Sequence, residues 1–237
     1  MIELIFVRHG QPDWEPGGRA VDEPQLSKLG KMQAERVAQA LGRERIDRLY
    51  TSTMRRAVET GAPLAEQLDR APVRLSWLRE LGLPTLHGQT TAEVGAFFER
   101  ARARELEQWW DGLEGGESFR HFHERVSAGI DGLLCQGHGA RLHLDGAHRL
   151  WRPQPPAAGA AEDGPQRIVL VAHGGSISVA VTHLLGMEPV PWAHERTQLG
   201  WAGLVRLRMV PIAGAWIWSL DRWNERGHLA GLPDPAG

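Results

Sequence analysis

Ile2-Glu3-Leu4-Ile5-Phe6-Val7-Arg8-His9-Gly10 is an apolar run that stops abruptly in Arg-His-Gly. Branched and aromatic side chains without alternation read as a strand buried on both faces, as in a parallel sheet. Gly10 then lets the backbone turn sharply. The basic pair therefore falls just past a strand's carboxyl end, where open α/β sheets bind ligands. A second stretch, Ile168-Val169-Leu170-Val171-Ala172-His173-Gly174-Gly175, repeats the design. Either histidine alone reads as a turn residue. Two buried strands that both end in His-Gly point to two imidazoles in one crevice.

Outward from the first strand, residues 11–25 are polar and rich in Pro and Gly, which predicts a loop. Ser27 is placed as the N-cap of a helix to Leu41, with Met32, Val37, Ala40 and Leu41 facing the core and Gly42 ending it. Ile46 to Tyr50 reads as a strand. Thr51-Ser52-Thr53 then reads as the cap of a helix running to about Leu68, with Arg55 and Arg56 in its first turn. Arginine near a helix start opposes the macrodipole, but it suits an anion held by the free N–H groups there. Val73 to Trp77 reads as a strand, Thr91 to Trp110 as largely helical, and a further helix is expected from Ser118 to about Leu134. Residues 136–166 differ in composition and are read as a surface insertion. Within it Arg141 to Gly146 predicts half of a hairpin with Asp-Gly as the turn, and the prolines and alanines from Pro153 predict an exposed linker. His138, His143 and His148 share no common face at strand or helix spacing, so solvated loop histidines are expected rather than a metal site. A helix is predicted from Ser176 to Leu185, and an antiparallel pair over 200–209 and 215–220. A frayed tail is expected after Asn224.

The totals bound the class. Of 237 residues, 42% are hydrophobic and 24% charged, which suits a globular core. A net charge of −2 gives no global attraction to nucleic acid or membrane. The single cysteine, Cys135, excludes an internal disulfide and a cysteine-rich zinc site, in keeping with the cytoplasm. No basic-then-apolar secretion signal follows Met1, and no apolar run approaches the roughly 20 residues that span a bilayer. Ten tryptophans accompany one tyrosine. Core packing is the expectation for them, with Trp77, Trp109, Trp110 and His87 as candidates for a pocket rim.

Arg8, His9, Arg56 and His173 in one crevice, with Glu80 nearby, would surround a dianion, and phosphate is the obvious one. There is no Gly-rich Walker loop and no carboxylate cluster for magnesium. Phosphoryl transfer without a metal needs a nucleophile on the protein, and imidazole can serve. These residues carry a resemblance. Val7-Arg8-His9-Gly10, Ser52-Thr53-Met54-Arg55-Arg56-Ala57 with Thr60, Arg79-Glu80 with Gly88, Gly115-Gly116-Glu117-Ser118 with Arg125, and Ala172-His173-Gly174-Gly175 resemble the histidine phosphatase superfamily, also called phosphoglycerate mutase-like. The likeness runs through most of residues 1–187. It implies a three-layer α/β fold with a mostly parallel sheet flanked by helices, a single domain over 1–237, and a helical cap at about 83–135. It implies His9 as the phosphorylated nucleophile, with Arg8, Arg56 and His173 completing the phosphate pocket. Gln11 and Gly174 are expected to border it. Glu80 is implied as the acid/base, with Glu93 and Glu117 as alternatives. No metal or other cofactor is implied, and the partner is a small phosphorylated substrate, for which a phosphate or sulfate ion is a stand-in. The chain departs from the pattern at Glu15, where the family often has asparagine after tryptophan. The mutase branch's Asn-x-Phe-x-Gly-Trp and Glu-Arg-x-Tyr-Gly stretches are also missing. Phosphomonoester hydrolysis is therefore expected ahead of a mutase or an inactive phosphate-binding regulator.

Overall fold

Ile2–Arg8 form strand β1, and Leu4, Ile5, Phe6 and Val7 are all fully buried. A strand shielded on both faces needs a layer on each side. The computed structural model, which describes residues 1–146, 148–153 and 164–233, shows both layers. Leu4 and Phe6 enter one apolar cluster, Ile5 and Val7 the other, as the period of two along a strand requires. Helices α1 (Lys28–Leu41) and α2 (Arg55–Gln67) cover the second cluster through Val37, Leu41, Ala57 and Leu64. Helices α5 (Phe119–Gly132) and α6 (Gly174–Leu184) cover the first through Phe122, Val126, Ile130 and Ile177. Between α2 and α5 lie α3 (Thr91–Arg102) and the short α4 (Gln108–Asp111), and α7 (Ala193–Arg196) follows α6.

The three-layer α/β class is as expected, but the sheet is mixed rather than mostly parallel. Strands β2 (Arg48–Ser52), β3 (Val73–Leu75) and β6 (Gln166–Ala172) run parallel to β1. Strands β4 (Ala140–Asp145), β5 (His148–Pro153), β7 (Leu204–Ile212) and β8 (Ala215–Glu225) join as antiparallel neighbours, giving the order β3-β2-β6-β1-β7-β8-β5-β4. The reason lies in the connections. Parallel partners need crossover helices, whereas Ala213-Gly214 joins β7 to β8 in two residues with φ of 47° and 75°, a hairpin geometry.

Four expectations are corrected. In α1 Val37 and Leu41 face the core as expected, but Met32 is exposed and Ala40 only half-buried, and Ala34 and Ala38 complete the buried stripe instead. Thr51 and Ser52 belong to β2, and α2 begins after Met54 with no side-chain cap. The stretch 136–166 is not confined to the surface. Its hairpin, β4 with β5, is present as predicted, yet β5 pairs with β8, and Trp151 is fully buried, edge-on to Trp218 at 6.2 Å. Tyr50 and Gln166 both hydrogen-bond His138, while His143 and His148 are exposed as expected. The expected linker around Pro155 and Pro156 lies outside the described residues. Finally, the tail does not fray at Asn224, because Leu229 is buried beside α1 and His228 bonds the carbonyl of Ala202 at 3.0 Å.

The span 83–135 divides in two. Helix α5 is part of the core, whereas α3 buries no residue fully and stands off it. Contacts stitch the 14–22 loop to α3 and to the residues before it. Glu15 accepts from the Thr91 hydroxyl, Arg19 donates to the Gly88 carbonyl at 2.8 Å, and Asp22 accepts from Thr85 at 2.6 Å. Among the described residues, no helix is long and apolar enough to cross a membrane.

Candidate active site

Adjacent parallel strands end together, so β1 and β6 deliver His9 and His173 side by side, with ring centroids 5.1 Å apart. Arg56 joins them from the first turn of α2. All three side chains are buried. Gly10 turns the chain where α1 begins, and a Cβ there would sit 2.6 Å from the Gly30 carbonyl oxygen. Its N–H donates to the Thr60 hydroxyl at 2.9 Å, and that hydroxyl donates to the Arg56 carbonyl at 2.7 Å. One threonine thus ties the histidine loop to the helix that carries the arginine.

Two contacts define the state of His9. Its Nδ1 lies 2.8 Å from the Gly10 carbonyl, which can only accept, so Nδ1 carries the proton. Arg56 Nε can only donate, and it donates to His9 Nε2 at 3.1 Å. Nε2 therefore presents a lone pair. Burial, then the charges of Arg56 and Arg8, hold the His9 pKa well below the ordinary imidazole value. His173 is lowered in the same way, first by burial and then by His9 and the arginines, Arg79 among them. Its Nε2 bonds the Ser52 hydroxyl at 2.8 Å.

The two guanidiniums are only partly satisfied. Arg56 Nη1 and Arg8 Nε are buried without a hydrogen-bond partner. Arg8 lies over the Trp201 ring, 3.6 Å from its centroid, and also donates to the Leu199 carbonyl. Burial brings its pKa down to about 10. Trp201 also lies 5.1 Å from the His9 ring. Arg55, by contrast, is exposed and paired with Glu59 at 2.7 Å. The structure thus turns the arginine that precedes alanine inward.

Of the three carboxylates considered, only Glu80 reaches the site. It accepts from the Gly175 N–H at 2.9 Å, at the start of α6, and from its own neighbour Leu81. A Cβ on Gly175 would overlap this carboxylate. Glu93 is spent on the capping box with Thr90 at the start of α3. Glu117 instead grips Arg125 at 2.9 and 2.7 Å, and Arg125 in turn donates to the carbonyls of Trp77, Arg79 and Glu80. Glu15, turned to Thr91, does not face the phosphate position. Gln11 accepts from the Ser27 hydroxyl at 2.7 Å, and Gly174 lines a cavity together with Arg8 and Glu80. No three His, Cys, Asp or Glu side chains gather in a metal-binding group among the described residues.

Sequence reasoning missed Trp201. The tryptophans it favoured for the rim lie elsewhere: Trp77 packs on Gly129, Trp110 on Phe119, and Trp109 bonds the Arg104 carbonyl. The available signal was Gly200-Trp201-Ala202-Gly203, a large ring among small residues just before β7. The backbone of this stretch docks on the histidine strand, Arg8 N–H to the Gly203 carbonyl at 3.0 Å and Ala202 N–H to the His9 carbonyl at 3.1 Å.

An imidazole whose Nε2 presents a lone pair, beside two buried and partly unsatisfied guanidiniums at neighbouring strand ends of a three-layer α/β fold, has the composition of a site for an anion. The chain belongs to the histidine phosphatase superfamily, branch 1, whose family model matches residues 4–148. It is similar to the glucosyl-3-phosphoglycerate phosphatase of Mycolicibacterium vanbaalenii, 32% identical over 96% of both chains. The structure of a mycobacterial glucosyl-3-phosphoglycerate phosphatase with inorganic phosphate superposes with a TM-score of 0.69 at 28% identity, covering 94% of this chain and 97% of that one. A 2,3-bisphosphoglycerate-dependent phosphoglycerate mutase of Streptococcus pneumoniae is 28% identical over 79% of this chain and 86% of its own length.

Proposed function

We propose that the protein hydrolyses phosphomonoesters through a phosphohistidine on Nε2 of His9. The observation that carries this is the buried lone pair on Nε2 flanked by orphan N–H groups of Arg8 and Arg56. Buried donors without partners are costly, and a phosphoryl dianion supplies the acceptors they lack. On binding, Arg56 exchanges its bond to His9 for one to a phosphate oxygen, which frees the lone pair for attack on phosphorus. Arg8, Arg56 and His173 then stabilise charge on the oxygens that do not react. Glu80 as the acid protonates the leaving oxygen. As carboxylate it then takes a proton from the water that cleaves the P–N bond and regenerates neutral His9. The proton count closes over the two steps.

Hydrolysis is favoured over mutase chemistry because the relatives that align over nearly the whole chain are phosphatases and the mutase-specific stretches are missing. A cytoplasmic setting, in keeping with the lone Cys135, is part of the proposal. The test is a panel of phosphomonoesters, including glucosyl-3-phosphoglycerate, with and without chelator. Turnover should survive chelator, and His9→Ala should abolish it. The acid-labile phosphoenzyme should appear in wild type on rapid quenching. Undiminished turnover by His9→Ala would remove the nucleophile assignment. Conversion of 3- to 2-phosphoglycerate faster than hydrolysis of any ester would favour the mutase instead.

A further inference from the structure

Beside Glu80 lies a cavity of about 600 Å³, and Arg8, Glu80 and Gly175 form part of its lining. Apart from Gly174, the rest of its wall comes from His194, Glu195 and residues 197–201 with Asn224 and Arg226. All of these lie beyond the span that the family model matches. None belongs to the helical cap expected at about 83–135, nor to the rim candidates Trp77, His87, Trp109 and Trp110.

This wall is built as a rigid surface. Four consecutive residues are each anchored to another part of the fold. The Thr197 hydroxyl bonds that of Ser178 on α6 at 2.7 Å. The Gln198 carbonyl accepts from the Trp223 indole on β8 at 2.9 Å. The Leu199 carbonyl accepts from Arg8, and the Gly200 N–H donates to the Asn224 side chain at 3.0 Å. Trp201 completes the run beneath Arg8. A wall whose backbone is tied down along this run needs little ordering by its ligand, which favours affinity.

The wall chemistry is mixed. Gln198 offers both donors and an acceptor, Arg226 only donors, and Glu195 only acceptors. Glu195 lies 3.6 Å from His194 and 3.8 Å from Arg102. An aryl or alkyl group would strip water from these side chains and return no hydrogen bonds. At about 30 Å³ per water, the cavity holds roughly twenty water-sized positions, so a three-carbon acid would leave most of it wet. Because Glu80 shares the lining, a group that leaves with its proton departs into this space.

Resting on the hydrolase reading above, we propose that this cavity is the leaving-group subsite, that it selects a hydroxyl-rich group of hexose size or larger, and that Gln198 and Arg226 determine this selectivity. The experiment compares kcat/KM of the full chain on glucose 6-phosphate, phosphoserine and p-nitrophenyl phosphate, in wild type, Gln198→Ala and Arg226→Gln. Wild type should prefer the hexose ester to phosphoserine by tenfold or more. Each variant should lower the ratio of hexose to aryl ester at least tenfold, mainly through KM. Arg226 packs against Gly200, so its loss could loosen the wall, and in that event Gln198→Ala decides. A ratio within threefold of wild type in Gln198→Ala, or equal losses on both esters, overturns the subsite. So does a wild type that favours phosphoserine. Failure of the wild type on all three esters would instead count against the hydrolase reading.

Discussion

In the proposed reaction, His9 draws its nucleophilicity from its surroundings. Buried beside two guanidiniums, it keeps its lone pair at pH values where a solvated imidazole would be charged. The acid limb of kcat/KM should therefore lie below the ordinary imidazole value of about 6.5. A pH–rate profile checks this, and a limb at or above pH 7 would contradict it. Glu80 permits a second test. Its loss in Glu80→Gln should slow the first step for an alkyl phosphate by something like 10²–10⁴-fold. An aryl phosphate, whose leaving group needs no proton, should still load His9 and give a burst of product. Equal losses on both esters would point to a different acid. At this scale the sequence was informative wherever a residue sits at a strand end or helix start, because local pattern alone puts His9 and His173 at strand ends; it left Arg55 and Arg56 equivalent, and only the family resemblance singled out Arg56. Trp201 was not legible, since its place depends on β7 pairing with a strand some two hundred residues earlier.

Among the elements, the Glu117–Arg125 pair matters beyond its own contacts. Both side chains are largely buried, and together they clamp the backbone that carries Glu80 to the first turns of α5. Arg125→Met leaves the Glu117 carboxylate without its main partner, and should cost about 1–3 kcal/mol of stability with a fall in kcat of tenfold or more. Adding Glu117→Gln should restore much of the stability but not kcat, because Glu80 stays unclamped. Recovery of both by the double variant would show that the pair acts on stability alone. The hairpin β4–β5 offers a second test. Trp151→Ala opens a hole under β8, and urea unfolding should report a loss of about 3–5 kcal/mol. A loss under 1 kcal/mol would return the stretch to the surface. The hairpin itself could be read from Asp-Gly between short apolar segments. Its docking onto β8 could not, because the one cross-strand pairing among the described residues, Trp151 with Trp216, leaves no local pattern.

For the whole molecule, buried neutral histidines make stability depend on pH. Below about pH 6.5 the unfolded chain takes up protons at His9 and His173 that the native state refuses. More protons are then bound in the unfolded state, so stability falls as pH drops, by up to about 1.4 kcal/mol per pH unit per histidine. Thermal melts at pH 7.5 and 5.5 should differ accordingly, with the lower Tm in acid. A constant Tm would mean that both groups titrate normally. The parallel half of the fold was readable from two strand–His–Gly endings. The mixed half was not, because strand order is decided by which edges remain open once the helices have packed. That order also governs how the chain can be made. The strand that carries His9 lies between β6 and β7, so Ile2 finds its neighbour only at Gln166, and Val7 its second one at Leu204. A ribosome must translate most of the message while this apolar segment waits without either partner. Synthesis therefore leaves a strand that is fully buried in the finished protein exposed for longest, and a nascent chain halted before β6 should be degraded by protease where the finished one resists.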